Sequence, residues 1–181
     1  MRSGLRRFTL PCPPPEVADR PRVQLRDIVT EADRAAVLEV RRGPGQDRFV
    51  ATVQESFDDA IRDAHANPRH WAVTDGDEVV GFAMISDGIP ADRLAADPEL
   101  LGPYFLWRLL IDERRQREGY GTATLDAVVD YVRSRPGGET LHTSCTLDPG
   151  TPLPFYERYG FVSEERFVDG ELVLRLDLAP R

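Results

Sequence analysis

Eight consecutive residues in the second half of the chain constrain its fold more than any other feature. The run over residues 104–111, YFLWRLLI, is apolar on both of its alternating sets of side chains, apart from Arg108. A strand with this pattern is buried on both faces and lies inside a sheet. The chain is therefore predicted to be a mixed α/β protein built around one sheet, with helices flanking that sheet.

The spacing of apolar residues along the rest of the chain predicts the order β-α-α-β-β-β-α-β-α-β-β. Thr30 and Asp33 have the spacing of a capping pair, which indicates that a helix begins there. Gly76 marks the turn of a hairpin, residues 86–103 are predicted to be a loop, and Asp169-Gly170 joins the last two strands. The sheet is expected to be single, mixed and mostly antiparallel.

The chain is predicted to contain one domain over residues 22–181, preceded by a flexible tail rich in Pro and Arg over residues 1–21. Of the 181 residues, 41% are hydrophobic, which is enough for one core. The sequence has neither a signal-peptide pattern nor an apolar run long enough to span a membrane. A cytoplasmic location is expected; the role of the tail is left open.

The charge balance restricts the classes of partner. The 23 Lys+Arg and 31 Asp+Glu residues give a net charge of −8, which disfavours nucleic acids and anionic membranes. The charge is compatible with a cationic substrate, although solubility alone would also explain it. All the basic residues are arginines, and the absence of lysine excludes a Walker-type phosphate loop and a pyridoxal Schiff base.

The cysteines and histidines have the spacing of neither a disulfide framework nor a metal site. Cys12 lies in the predicted tail, and Cys145 lies in a predicted strand. The three histidines are His65, His70 and His142. We therefore expect no metal.

A polar loop and two glycines follow the apolar strand and open a helix. Such glycines let the backbone approach a ligand closely, and the first N–H groups of a helix favour an anion such as pyrophosphate. Arg117 could add a charged contact. A tight strand-to-helix turn is the alternative explanation. Thr124 replaces the third glycine of a dinucleotide fold, and the motif comes late in the chain, which argues against a nicotinamide enzyme.

A later segment, residues 152–161, combines a short helix with a cluster of aromatic residues. Phe155, Tyr159 and Phe161 are most simply core residues. Tyr156 could instead donate a proton to a leaving group, because a phenol is a weak acid, although a tyrosine in such a cluster is often only a core residue.

Together the two segments resemble the GNAT superfamily of acetyl-CoA-dependent N-acetyltransferases. The loop over residues 116–121, QREGYG, matches the family pattern Gln/Arg-x-x-Gly-x-Gly/Ala. Residues 155–161, FYERYGF, match the family's Tyr-x-x-x-Gly-Phe signature. The similarity spans about residues 22–178. Residues 46–50, 80–84, 107–108 and 170–171 are most similar to the bacterial diamine/polyamine (spermine/spermidine) acetyltransferase-like branch.

The resemblance implies a role for each segment. The strand end would offer backbone groups to the pantetheine arm of acetyl-CoA, the loop would hold the pyrophosphate, and Tyr156 would protonate the departing thiolate. An amine would attack directly in a ternary complex. Many family members form homodimers, so a homodimer is one expectation. The implied cofactor-binding residues are Leu109, Leu110, Ile111, Gln116, Arg117, Glu118, Gly119, Tyr120, Gly121 and Thr122.

The chain departs from the family pattern at two positions. Pro149 replaces an asparagine that often precedes the tyrosine, and Trp107 stands where some relatives have a carboxylate base. The general base therefore stays open between four residues. These are Asp47, Glu55, Asp87 and His142.

The acceptor is expected to be a small-molecule amine, with a polyamine or diamine as the first hypothesis. The alternatives are an amine-bearing antibiotic or natural product, a protein amine, and a non-catalytic acetyl-CoA-binding module. Acceptor specificity would reside in the loops over residues 41–50 and 86–103.

Overall fold

The computed structural model describes residues 21–178. The tail predicted over residues 1–21 therefore lies, apart from Pro21, outside the described residues, as does Cys12. The strands are β1 (Gln24–Asp27), β2 (Pro68–Asp75), β3 (Glu78–Asp87), β4 (Tyr104–Ile111), β5 (Thr140–Cys145), β6 (Val162–Val168) and β7 (Glu171–Asp177). The α-helices are α1 (Glu31–Leu38), α2 (Val53–Arg62), α3 (Ala91–Ala96), α4 (Tyr120–Arg133) and α5 (Leu153–Tyr159).

The predicted order of elements is confirmed except for one helix. Helix α3 lies inside the segment that was predicted to be a loop. It has six residues, none of them buried, and its N-cap residue Pro90 makes no side-chain capping bond. The helix therefore lacks both sequence signals of a helix, an apolar face and a polar cap.

The first helix begins where its sequence predicts. Thr30 Oγ1 accepts a hydrogen bond from the Asp33 backbone N–H at 3.0 Å, and the Asp33 carboxylate accepts one from the Thr30 N–H at 3.0 Å. Thr52 and Glu55 form the same reciprocal arrangement at the start of α2. These two capping boxes satisfy N–H groups that would otherwise have no partner within the helix.

The seven strands form one mixed sheet in the order β1-β2-β3-β4-β5-β7-β6, which confirms the predicted fold class. β4 and β5 run parallel, and the other neighbouring strands run antiparallel. The sheet has a core on each face. On β3, Phe82 and Met84 pack with α1 and α2, whereas Ala83 and Ile85 belong to the cluster that includes α4 and α5.

Two irregularities in β4 create the site. Arg108 pairs with Met84 of β3 and Leu106 pairs with Ile85, so Trp107 is an extra, unpaired residue at a β-bulge. Towards β5, the one registered pair within residues 21–178 is Phe105 with His142. Beyond that pair the two strands separate, and a cleft opens between them.

None of the helices in residues 21–178 combines the length and the apolar character that crossing a membrane demands. In the same part of the chain, no cluster of three or more His, Cys, Asp or Glu side chains has the arrangement of a metal site.

Candidate active site

The cleft has a volume of about 970 Å³ and runs between the second half of β4 and β5. The β4 wall includes Trp107 to Ile111, and the β5 wall includes Thr143 and Ser144. The loop before α4 and the helix α5 border one part of the cleft, and the β6–β7 turn borders another. The volume is within the range typical of small-molecule sites.

Most of the cofactor-binding residues predicted from sequence line this cleft. The exceptions are Glu118 and Tyr120. Glu118 lies 3.6 Å from Arg115, and the Tyr120 hydroxyl donates a hydrogen bond to Asp75 at 2.7 Å. The hydrogen bond to Asp75 and burial raise the pKa of Tyr120. The predicted residues that do line the cleft are Leu109, Leu110, Ile111, Gln116, Arg117, Gly119, Gly121 and Thr122.

The loop before α4 has the backbone shape of an anion cradle. Arg117 and Gly119 both have positive φ values, 66° and 92°, so the chain turns sharply before the first turn of α4. The first hydrogen bond of this 14-residue helix runs from the Ala123 N–H to the Gly119 carbonyl. The N–H groups of residues 120–122, in the first turn, therefore have no partner within the helix. These N–H groups and the helix dipole suit a pyrophosphate.

Gly121 brings the loop close to α5. A Cβ atom at this position would lie 3.4 Å from the Phe155 ring, which is van der Waals contact. With glycine here, the loop backbone rather than a side chain lies at this part of the cleft surface.

Gln116 ties the loop to two other segments. Its Nε2 donates to the Ile111 carbonyl at 3.0 Å and to Gln46 Oε1 at 2.8 Å. Gln46 Oε1 also accepts from the Gly43 N–H at 2.8 Å. Gln116 lines the cleft, but its amide nitrogen is occupied within the protein, so its side chain positions the loop and the segment after α1.

Asp112 anchors the turn at the end of β4. The side chain is 1% exposed, and it accepts hydrogen bonds from the side chain and backbone of Arg114 and from the Arg41 N–H. The Arg114 side chain, followed by these backbone donors, lowers the pKa of Asp112 to about 2 against the cost of burial. This residue was not identified as a site residue from the sequence.

Tyr156 lies on α5 at the wall of the cleft and is 7% exposed. Its ring centroid is 5.4 Å from that of Phe155 and 5.3 Å from that of Phe161. Burial raises the pKa of Tyr156 to about 12, and a hydrogen-bonding contact with Thr143 acts in the opposite direction. The phenol is therefore protonated at neutral pH, as a proton donor must be.

The four candidate bases named from the sequence lie elsewhere. None of Asp47, Glu55, Asp87 and His142 lines the cleft. Glu55 accepts the capping bond from Thr52, which lowers its pKa. Asp87 accepts a hydrogen bond from Tyr131 at 2.6 Å, and His142 lies 3.6 Å from Glu164 with its pKa lowered by burial.

Several cleft residues were not identified as site residues from the sequence. Arg158 lies on α5, and Thr143 and Ser144 lie on β5. Glu171 begins β7, and Glu99 precedes β4. Arg158 follows Tyr156 by two positions, so proximity to the Tyr-x-x-x-Gly-Phe motif could have suggested it. Glu99 belongs to no local pattern. Glu171 lies in the segment 170–171 that resembles the polyamine branch, but that similarity gives it no role.

Comparison with known proteins places the chain among acetyltransferases. A model of the acetyltransferase (GNAT) family matches residues 35–161. The curated spermine/spermidine N(1)-acetyltransferase of Bacillus subtilis (strain 168) is 26% identical over 151 residues, which are 83% of this chain and 95% of that protein.

Two solved structures share the fold over most of the chain. A GNAT-family protein from Desulfovibrio desulfuricans is 26% identical, with a TM-score of 0.57 and coverage of 87% of this chain and 99% of that one. An aminoglycoside 6'-N-acetyltransferase complexed with coenzyme A is 18% identical, with a TM-score of 0.63 and coverage of 88% and 98%. This chain belongs to the acetyltransferase (GNAT) family and is an acetyl-CoA-dependent N-acetyltransferase.

Proposed function

We propose that this enzyme acetylates a primary amine of a small acceptor that carries further positive charge, and that polyamines and diamines are that acceptor class. The amine attacks the thioester directly while both substrates are bound. The observation that carries the proposal is the set of carboxylates at the part of the cleft formed by the β6–β7 turn and the segment before β4.

Three of these carboxylates have no cationic partner. Glu99, Asp169 and Glu171 line the cleft, and within residues 21–178 no arginine forms an ion pair with any of them. The β6–β7 hairpin is joined to the segment before β4 by a hydrogen bond from Arg166 to the Pro98 carbonyl at 2.8 Å. The three side chains therefore belong to neighbouring segments, and their field favours a molecule with more than one ammonium group.

Two other charged residues of the cleft have partners of opposite charge. Asp63 lies 3.1 Å from Arg62, and Arg108 donates to Asp59 at 2.7 Å. These pairs contribute little net field, whereas the three unpaired carboxylates favour a cation at their part of the cleft.

Two arginines lie near the anion cradle. Arg117 is in the loop, and Arg158 is on α5, whose Phe155 contacts the loop at Gly121. Neither arginine has an ion pair within the described part of the chain. We assign the backbone N–H groups of residues 117–122 to the pyrophosphate of acetyl-CoA, with Arg117 as a charged contact.

The remaining site residues act on the acyl group. Because β5 leaves β4 beyond Leu106, the β4 backbone over Leu109 to Ile111 is available to a pantetheine arm laid along it as an added strand. A backbone N–H near the Trp107 bulge would polarise the thioester carbonyl. Tyr156 would protonate the departing CoA thiolate.

The Bacillus subtilis relative supports the acceptor class, because it is named as a spermine/spermidine N(1)-acetyltransferase. The inference to this chain rests on the carboxylates, since 26% identity is compatible with a change of acceptor.

The test is release of free thiol from acetyl-CoA against a panel of amines. The panel contains spermidine, spermine, putrescine, a monoamine matched in length to putrescine, aminoglycosides, amino acids and short peptides. We expect kcat/KM for the polyamines to exceed that for the monoamine by at least tenfold. Preferred turnover of an aminoglycoside or a peptide would keep the acetyl transfer and refute the polyamine assignment.

A further inference from the structure

We propose that Glu171 is the general base that takes the proton from the acceptor ammonium, and that Ser144 positions its carboxylate. The inference rests on the acetyl transfer described above and names the base that the sequence left open.

The position of Glu171 follows from the β6–β7 turn. Asp169 and Gly170 both have positive φ values, 50° and 83°, and they connect the paired residues Val168 and Glu171. This tight turn places Glu171 at the very start of β7, beside the end of β5. Its side chain reaches back along β5, where the Ser144 hydroxyl donates a hydrogen bond to Oε2.

Glu171 and Tyr156 serve the same cleft from different elements. Burial raises the pKa of Tyr156 to about 12, and the negative charge of Glu171 adds to this rise. Both residues line the cleft. A protonated phenol and a carboxylate that share one site form an acid–base pair of the kind that a transfer reaction needs.

The other lining carboxylates fit the role less well. Asp63 is paired with Arg62. Asp169 and Glu99 line the cleft, but neither accepts a side-chain hydrogen bond from another cleft residue within the described chain. Ser144 occupies one lone-pair position of Glu171 Oε2, which leaves Oε1 available to an ammonium N–H, directly or through one water.

The proton balance of the step is closed. The Glu171 carboxylate takes one proton from the alkylammonium and leaves a neutral amine. The amine nitrogen forms a bond to the thioester carbonyl carbon, and the C–S bond then breaks with its electron pair on sulfur. Tyr156 gives its proton to that sulfur and recovers one from the nitrogen, which becomes the amide. Glu171 releases its proton to solvent, so one proton is produced for each acetyl transferred.

The titratable groups that face Glu171 come from three elements. They are Tyr156 on α5, Cys145 on β5 and Asp169 in the turn. Burial raises the pKa of Cys145 and of Tyr156, so both stay neutral below about pH 8.

The test compares Glu171→Gln with two other single-charge variants. Asp169→Asn removes a negative charge from the same cleft at a position assigned to cation binding. Glu157→Gln removes one from the exposed side of α5, next to Tyr156 but outside the cleft. Binding of CoA by calorimetry and the Tm of each variant confirm that the fold and the cofactor site are intact.

We expect Glu171→Gln to lower kcat/KM by about 100-fold at pH 7, within the range for loss of a general base. Because the reaction then depends on free amine in solution, log kcat/KM of this variant should rise by about one per pH unit up to the pKa of the acceptor. Asp169→Asn should raise KM and leave the acid limb in place, and Glu157→Gln should stay within twofold of the wild type.

Two acceptors separate a base from a site for a second ammonium. With a monoamine, the decrease in kcat/KM caused by Glu171→Gln should persist, because every alkylammonium must lose a proton. With a fluorinated alkylamine that is already neutral at the assay pH, the loss should shrink to less than fivefold. The opposite pattern, a loss that disappears with the monoamine, would make Glu171 a cation-binding residue and overturn the proposal.

Ser144 is tested by Ser144→Ala and by the conservative Ser144→Thr. We expect the alanine variant to shift the acid limb of kcat/KM and the threonine variant to restore it, because threonine keeps the hydroxyl donor. If the wild type is active and Glu171→Gln stays within threefold of it, the assignment of Glu171 as the base is refuted and the proposed function is not. A wild type that acetylates no amine in the panel would refute the proposed function, and the base with it.

Discussion

Replacing Tyr156 by phenylalanine removes one oxygen atom and little of the packing. The ring contacts with Phe155 and Phe161, at centroid distances of 5.4 and 5.3 Å, are unaffected by loss of the hydroxyl. The hydroxyl lies near Thr143, whose own hydroxyl donates to the Leu106 carbonyl at 3.0 Å. Loss of one hydrogen-bonding group changes stability by about 1 kcal/mol, so the free energy of unfolding should fall by no more than about that amount.

The effect on catalysis should be much larger. Loss of a positioned proton donor lowers a rate by about 10²- to 10⁴-fold, which is about 3–5 kcal/mol of transition-state stabilisation. The affinity for CoA should change less than threefold, because the hydroxyl is not part of the anion cradle. Since burial holds the pKa of Tyr156 at about 12, its ionisation should produce no alkaline limb in the wild-type kcat profile below about pH 10.

Tyr159→Phe is the matched control. Tyr159 lies on the same helix and donates to Asp126 at 2.8 Å, but it does not line the cleft. Loss of the Tyr159 hydroxyl should lower the Tm and leave kcat within twofold of the wild type. The measurements are steady-state thiol release, CoA calorimetry and thermal unfolding. Retention of more than a fifth of the wild-type kcat in Tyr156→Phe would refute the assignment of the proton donor.

Two further predictions concern the backbone of the site. Gly119→Ala places a residue with a Cβ atom at a φ of +92°, which strains the loop backbone. KM for acetyl-CoA should rise about tenfold, and the Tm should fall by a few degrees. An unchanged KM would argue against the anion cradle. The pKa of Asp112 is about 2 against 3.8 for the free side chain, so its carboxylate contributes about 2 kcal/mol of stability above pH 4. That contribution is lost as the pH falls through about 2. The difference in free energy of unfolding between wild type and Asp112→Asn, measured by chemical denaturation, should therefore narrow from pH 5 to pH 2. A constant difference would contradict the assignment.

Local signals were sufficient to predict most elements of the fold. The alternation in β4 and the capping pair Thr30–Asp33 depend on neighbouring residues, so the sequence displays them directly. Helix α3 was missed because its six residues carry neither an apolar face nor a cap. The missed helix shows where single-sequence reasoning fails, at a short element that depends on its surroundings.

The two motifs of the site were visible for the same reason. The loop over residues 116–122 and the aromatic segment around Tyr156 are each contiguous, and both border the cleft. The structure adds that Gln116 bonds to Gln46, 70 positions away, which no local pattern contains. It also separates two predicted residues from the cleft. Glu118, in the loop before α4, lies beside Arg115, and Tyr120, the first residue of α4, directs its hydroxyl to Asp75.

The sequence by itself determined the elements, the fold class and the contiguous motifs of this protein, because hydrophobic spacing, caps and glycines act over a few residues. The tertiary structure alone decided where β5 leaves β4 and which carboxylates reach the opening. The two strands separate beyond the pair Phe105–His142, and Glu171 reaches the cleft from the β6–β7 hairpin, near the C-terminal end of the described chain. Strand pairing joins residues that are distant in the chain, so the cleft that both Tyr156 and Glu171 line exists only once the sheet has formed.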